Sequence, residues 1–502
     1  MIRRRNGRRL LLSAGAALIG LAAALAISSP ASAARTDVTL GVRLEPPHLD
    51  PTAGAAAAID EVVFINVFQG LTQVDRDGTI KPALAESWTI SDDGTVYTFK
   101  LHQGVTFHDG TAFDAEDVVF SLDRARGADS VNAQKAKFEV IDKVEAIDPS
   151  TVRITLKQPT GDFLFTLGIG DAVMVGPESA DANKSDPVGT GPFKFSRWVK
   201  GDRVDLERNS DYWGTPAKLD KATFKVIGDS AAALAALMAG DVDGFPIYPA
   251  PENLPQFEAD PRFAVVVGST EGETILATNN AKKPFDDKRV RQAIAHAIDR
   301  KAIIDGAMFG YGTPIGSHFA PHHPAYVDLV GTYPHDPEKA KALLAEAGYP
   351  DGFKATLKLP PPAYARRGGE ILASDLKKVG IELELIPLEW AQWLEQVFKG
   401  KDYDLTIVSH TEALDIDIYA RDDYYFGYKN PEFKALIARL GATTDTTARY
   451  DLMREAQKIL ADDAVNGFLF QLAKTGVWDA KLKGLWENAP VQANDLTEVY
   501  WE

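Results

Sequence analysis

The chain of 502 residues has no cysteine, which excludes disulfide scaffolds, zinc–thiolate centres, thiol catalysis and anchoring through an acylated cysteine. It also lacks a surplus of positive charge: 54 Lys and Arg stand against 71 Asp and Glu, for a formal net charge of −17. With no broad cationic field to hold a phosphate backbone, nucleic-acid binding is disfavoured. A mean hydropathy of −0.16 excludes a polytopic membrane protein. The apolar share of 45% and charged share of 25% exclude long disorder. Repeats of 20 to 50 residues and low-complexity linkers are absent, so solenoids and tethered modules are not expected. The sequence also has no Gly-x-Ser-x-Gly elbow, no Gly-rich phosphate loop ending in Lys-Ser/Thr and no His-Glu-x-x-His pair. Its many carboxylates show no spacing that marks a general acid or base, so no catalytic residue, metal or cofactor is assigned.

What is present begins with an export signature. Arg3, Arg4, Arg5, Arg8 and Arg9 precede an apolar stretch from Leu10 to about Ile27, followed by Pro30 and Ala31-Ser32-Ala33. That order of charge, apolar run and small residues predicts a signal peptide over 1–33, cleaved after Ala33 or Ala34, and a periplasmic mature protein. An uncleaved anchor is the alternative reading, and the export route, general or twin-arginine, stays open. Removing the five arginines takes the net charge to about −22, a value suited to a soluble monomer.

The rest is long enough for two or three domains at roughly 150 residues each and reads as mixed α/β. Trp88-Thr89-Ile90, the turn Ser91-Asp92-Asp93-Gly94 and alternating Tyr97, Phe99 and Leu101 predict a β-hairpin. Asp114 reads as the N-cap of a helix carrying Val118, Val119 and Leu122. Val290, Ala293, Ile294, Ala297 and Ile298 form one apolar helix face, and Asp336-Pro337 with Gly348 marks the start and stop of another helix. The first half is strand-rich, the second carries longer helices, and the domains are expected to share strands across a hinge. Gly189-Thr190-Gly191-Pro192 reads as a turn between strands. His318, His322 and His323 have the spacing of metal ligands on a helix, but Pro321 and Pro324 break that helix, so a solvated loop is expected.

Residues 82–123, from Pro-Ala-Leu-Ala-Glu-Ser-Trp through Gly104-Val105-Thr106-Phe107-His108-Asp109-Gly110 to Asp117-Val118-Val119-Phe120-Ser121-Leu122, resemble the signature of family 5 extracellular solute-binding proteins. These are the dipeptide, oligopeptide and nickel receptors of ABC importers. Gly189–Phe193, Asn209–Gly214, Ala239–Asp243, Asn279-Asn280 with Pro284–Asp287, Arg289–Ile294, and Asp375-Leu376 with Val379–Ile381 continue the resemblance in order. It implies a two-lobed α/β fold of the type II periplasmic-binding-protein kind, with two crossing segments and an extra domain inserted in the first lobe. The first lobe is then 35–75, 187–270 and 474–502, the inserted strand-rich domain 76–186, and the second lobe 271–473.

The same resemblance implies a receptor that encloses a short peptide or similar zwitterion and delivers it to a membrane permease with its cytoplasmic ATPase. Opines, sugars, glutathione-like compounds and nickel chelates are the other ligand classes it leaves open, and an exported hydrolase on this fold is the alternative outside the receptor class. In peptide-binding relatives an aspartate of a Gly-Asp-x-x-Asp-Pro-Asp segment captures the ligand's amino group. The matching stretch here is Thr411-Glu412-Ala413-Leu414-Asp415-Ile416-Asp417-Ile418-Tyr419. Asp415 is the amine candidate, with Glu412, Asp417 and Tyr419 beside it. Ile416 and Thr411 replace the family's proline and leading glycine, so the loop shape departs from the pattern. Arg366 or Arg367 would take a ligand carboxylate, Trp390 and Trp393 would divide between core and cleft wall, and His410 would serve a metal chelate.

Overall fold

Trp88 faces Phe99 and Ile90 faces Tyr97 across the antiparallel strands Ala85–Ile90 and Val96–Leu101, the hairpin expected from their alternation. These are residues of a computed structural model that describes positions 35–54 and 56–502. The expected signal peptide, 1–33, lies outside the described residues. The hairpin belongs to a four-stranded antiparallel sheet completed by Thr151–Leu156 and Ile141–Asp148. Helix Ala115–Arg126 covers it: Asp114 and Asp117 form a reciprocal capping box, and Val118 and Leu122 join Phe99 and Ile154 in one core.

The large sheet runs through the rest of the chain in the order Ile381–Pro387, Phe353–Leu359, Leu405–His410, Phe263–Thr278, Gly467–Asp479, Gly244–Phe245, Asp37–Val42, Lys221–Val226, Arg203–Arg208, Phe193–Val199. Its centre is the antiparallel pair Phe263–Thr278 and Gly467–Asp479. One end of this pair adjoins Gly244–Phe245 and the other adjoins Leu405–His410. Between Ser269, opposite Ala473, and Glu273, opposite Gln471, the register shifts. A bulge of this kind bends and twists a strand, so the pair changes direction where it passes between two sets of cores. One set packs around Leu40, Phe193 and Phe224. The other packs around Ile294, Leu357 and Ile407 and around Phe433, Met453 and Phe468. The fold is thus two-lobed, with the four-stranded sheet as an added domain.

Second-lobe helices start and stop as their caps dictate. The Asp287 carboxylate accepts from the Arg289 N–H at 2.8 Å ahead of Lys288–Ala297, whose Val290, Ala293, Ile294 and Ala297 are buried. Asp336 accepts from the Lys339 N–H at 2.9 Å, Pro337 opens helix Pro337–Glu346, and Gly348 leaves it at φ 92°. The Gly189–Pro192 segment lies just before strand Phe193–Val199, where Gly189 and Gly191 press on the backbone of residues 66–67. A Cβ would come within 2.0 and 2.4 Å of the Val67 and Asn66 carbonyl oxygens, so these glycines permit backbone packing.

One expectation is overturned. His318, His322 and His323 are not helical, as the prolines require, but neither are they solvated: His318 and His323 are buried, and the His322 side chain is 7% exposed. The loop is held down by distant partners. Ser317 Oγ donates to the Gln457 carbonyl at 3.0 Å, and the Gln457 amide donates to the Ala325 carbonyl at 2.7 Å. Proline denied the segment a helix without denying it a place in the core.

Candidate functional site

Strand Leu405–His410 ends at the second-lobe side of the hinge, and the chain then turns through Thr411–Asp415 into the short 3-10 helix Ile416–Ala420. Leu414, at φ 62°, makes that turn and leaves the Asp415 side chain only 12% exposed. A buried carboxylate needs partners. His318 Nε2–H donates to Asp415 Oδ1 at 2.7 Å, and His410 Nδ1 lies 3.9 Å from Oδ2. Burial alone would raise the Asp415 pKa, but the His318 imidazole and its hydrogen bond, then His410 and Arg421, bring it below the ordinary value. Burial also lowers His410, against the pull of Asp415; its Nε2 lies 3.0 Å from the Tyr425 hydroxyl.

Behind Asp415 the hinge bulge supplies two more carboxylates. Glu271 accepts from His322 Nε2–H at 2.6 Å, which leaves His322 Nδ1 to accept from the Ser269 hydroxyl at 2.5 Å. Glu273 is 2% exposed, and its Oε2 has no hydrogen-bond partner. Burial, then the neighbouring Asp415 and Glu271, push its pKa well above the usual carboxylate range. Among the described residues, two groups hold ligating atoms within 4.8 Å of one another: Glu273, His318 and Asp415; and His410, Glu412 and Asp415.

Of these residues Glu271, His410, Glu412 and Asp415 edge a cavity of about 920 Å³ that both lobes line. The second lobe contributes His410, Glu412, Asp415, Asp417, Arg421, Tyr424 and Arg449, together with Trp390, Trp393, Leu394 and Phe398. Asp60, Phe64, Lys137, Phe165 and Asp171 line it from the opposite side. There, burial, then Asp171 and Glu61, raise Asp60 well above its ordinary pKa, and burial raises Asp171 to about 6. The lobes touch at the rim, where the Gly161 N–H donates to the Gly441 carbonyl at 2.8 Å. The balance of the lining is acidic. Arg421 is engaged by Asp417 at 2.9 Å, and Arg449 Nη1 donates to the carbonyls of Leu440 and Thr443.

The sequence candidates divide cleanly in place. Asp415, Asp417, Glu412, His410, Trp390 and Trp393 all line the cavity. Trp393 is buried and donates from Nε1 to Thr406 Oγ1 at 2.9 Å, whereas Trp390, 41% exposed, stands edge-on to it with centroids 5.7 Å apart. Tyr419 lies behind the wall, edge-on to His318 at 5.3 Å. Arg366 and Arg367 stand on helix Ala363–Lys377, and neither lines the cavity. Arg366 binds Glu389 at 2.9 Å and the Leu388 carbonyl, and Arg367 lies over the Phe309 ring.

Several residues of the site escaped the sequence reading. Asp60 and Asp171 meet across 111 positions with no local pattern to announce them. Glu273 did carry a signal: period-two alternation puts it on the face of Ile275 and Ala277, which join a buried core, so a carboxylate there has to be buried too.

A family model described as bacterial extracellular solute-binding proteins, family 5, middle matches residues 79–430. The glutathione-binding protein GsiB of Pectobacterium atrosepticum is 34% identical over 481 residues, which is 91% of this chain and 91% of that one. Heme-binding protein A of Haemophilus influenzae is 32% identical over 445 residues, 79% of this chain and 80% of its own. Among solved structures, the periplasmic binding protein DppA of Helicobacter pylori, in complex with the peptide STSA, is similar with a TM-score of 0.77 and 28% identity, covering 93% of this chain and 98% of that one. Matches of this extent take in both lobes, the hinge and the cavity, and the chain belongs to the family 5 bacterial extracellular solute-binding proteins, the substrate-binding receptors of ABC importers.

Proposed function

We propose that the receptor captures a short peptide or a similar zwitterion with a free amine, closes its lobes around it and delivers it unchanged to a membrane permease. The observation that carries this reading is the acidic cavity shared by both lobes, with Asp415 at its wall and Arg421 and Arg449 already engaged. Such a lining favours a ligand ammonium and disfavours a polyanion. A volume of about 920 Å³ suits a ligand of a few residues. The relatives named for glutathione and the structure holding STSA support a peptide-like ligand; the heme-binding relative does not.

In this reading Asp415 anchors the ammonium, Glu412 and Asp417 set the local field, and Trp390 with Trp393 forms an apolar wall for varied side chains. Arg366 and Arg367 take no part. The first lobe is 35–75, 187–270 and 474–502, the inserted domain 76–186 and the second lobe 271–473; the two lobe boundaries fall within the long paired strands. The mature protein is a periplasmic monomer, and no bond of the ligand is made or broken. The family is one of binding proteins, which supports that last point.

The deciding experiment is mass spectrometry of what co-purifies in the cleft and is released on denaturation. An intact peptide or amino-bearing zwitterion is expected. Recovery of a sugar or a polyanion would reject the ligand class, and conversion of added peptide to products would reject the receptor-only role.

A further inference from the structure

The polar atoms behind the Asp415 wall are unevenly satisfied. His318 is 1% exposed and gives Nε2–H to Asp415, while its Nδ1 has no hydrogen-bond partner. Glu273 is 2% exposed, and its Oε2 is also without a partner. One ligating atom from each of Glu273, His318 and Asp415 falls within 4.8 Å of the other two. Two buried carboxylates at that separation repel each other, and Glu271 stands close enough to add to the field on Glu273. Among the described residues, no Lys or Arg is hydrogen-bonded to Glu273. Such a group holds a proton or a cation.

We propose that Glu273, His318 and Asp415 form a binding site for a divalent transition-metal ion of the zinc, cobalt or nickel type, set in the hinge-side wall of the cavity. Chemistry selects that class: one imidazole nitrogen with two carboxylate oxygens suits borderline transition ions, whereas magnesium and calcium favour oxygen alone. Ligand bonds of about 2.0 to 2.2 Å place opposite donors at most about 4.4 Å apart, so atoms within 4.8 Å need a small inward shift, and the ion replaces the His318–Asp415 hydrogen bond, the ring proton passing from Nε2 to the unpartnered Nδ1. Of the three side chains only Asp415 also lines the cavity. The ion and a ligand ammonium therefore compete for the same carboxylate, and divalent metal lowers the affinity for free-amine ligands. That last consequence rests on the amine reading of Asp415; the site itself does not.

The test is equilibrium dialysis of the EDTA-stripped protein, without a polyhistidine tag and without peptide, against zinc, cobalt and nickel chlorides, with calcium and magnesium as comparisons. Bound metal is counted by elemental analysis, and cobalt is also followed by its visible absorption. One ion per chain is expected, with calcium and magnesium bound at least about tenfold more weakly. Glu273→Gln and His318→Gln should each weaken zinc binding roughly 10- to 100-fold or more, while Glu412→Gln, in the neighbouring His410 cluster, should weaken it far less, through its field alone. Glu273→Gln replaces a buried acid at constant shape, so it should fold at least as well as the parent, and its melting curve verifies this. Absence of stoichiometric binding, equal binding of calcium, or wild-type affinity in folded Glu273→Gln would each overturn the proposal. So would a loss confined to Glu412→Gln, which would move the ion to the other cluster. Peptide titrations in EDTA examine the amine reading separately, so either idea can fail while the other stands.

Discussion

At Asp415 one carboxylate is contested by burial, which would neutralise it, and by two imidazoles and Arg421, which keep it charged. A ligand ammonium meeting that charge inside a closed cleft forms a desolvated pair, and truncating one member of such a pair costs about 2 to 5 kcal/mol. Asp415→Asn keeps the shape and should therefore weaken a free-amine peptide roughly thirtyfold to several-thousandfold, but an N-acetylated analogue hardly at all. Asp417→Asn should cost less, because Asp417 is half-exposed and held by Arg421. Calorimetry giving equal, small losses for both peptides would remove Asp415 from the amine site. Across the cavity, Asp171 supplies a prediction that needs no ligand. Its pKa is about 6 in the folded protein against an ordinary 3.8, so between those values the folded state keeps a proton that the unfolded state releases. Stability must then fall as pH rises through that window, by up to about 3 kcal/mol from this group. Asp171→Asn should flatten the slope, and should also relieve Asp60, whose pKa Asp171 helps to raise. Denaturant titrations at about pH 4 and about pH 7 read both effects; an unchanged slope in the variant would assign the titration elsewhere.

Elements decide how the lobes meet. Gly161 sits where the inserted domain reaches the second lobe, and a Cβ there would come within 1.7 Å of Arg449 Nη1 and 2.1 Å of the Thr443 carbonyl. Those clashes exist only while the lobes touch, so Gly161→Ala should destabilise the closed form selectively. Overpacking of about 1 to 3 kcal/mol converts to a loss of ligand affinity of roughly 5- to 150-fold, with little change in the melting of the ligand-free open form. A matching drop in ligand-free melting temperature would mean that the contact is structural rather than part of closure. The same elements show what the sequence could and could not reveal. Helix Pro337–Glu346 was legible because its start and stop are written in neighbours: Asp336, Pro337 and Gly348. The hairpin around Ser91–Gly94 was legible for the same reason. His318 was misread because its burial comes from Gln457 and Asp415, far along the chain, whereas the prolines beside it speak only of local backbone. Glu412–Asp417 were found through a family motif, not through spacing. The Glu273–His318 half of the site has no motif and arises only when the long hinge strand and the loop are packed together.

For the whole molecule, the two long strands pass between the lobes, so closure around a ligand would have to bend them. Their register shift between Ser269 and Glu273 puts an irregular stretch of the pair at Glu271 and Glu273, beside the cavity wall. The Ser269–His322–Glu271 hydrogen bonds brace that stretch from the second lobe. A ligand that touches both lobes binds the closed state better than the open one and shifts the population by that difference. Exported protein should have lost roughly its first 33 residues, a length typical of such signals, and an intact mass that retains Arg3 would contradict this. On that mature chain, a saturating ligand should compact the molecule in small-angle scattering. It should also add about 2.7 kcal/mol of stability at one hundred times Kd, with the melting temperature rising as ligand is increased. His322→Ala should loosen the brace and change the amplitude or the ligand dependence of compaction, while leaving Asp415 and its bond to His318 in place. If scattering is identical with and without ligand while the melting temperature still rises, the ligand binds without closure, and the strand pair is a rigid support rather than a hinge.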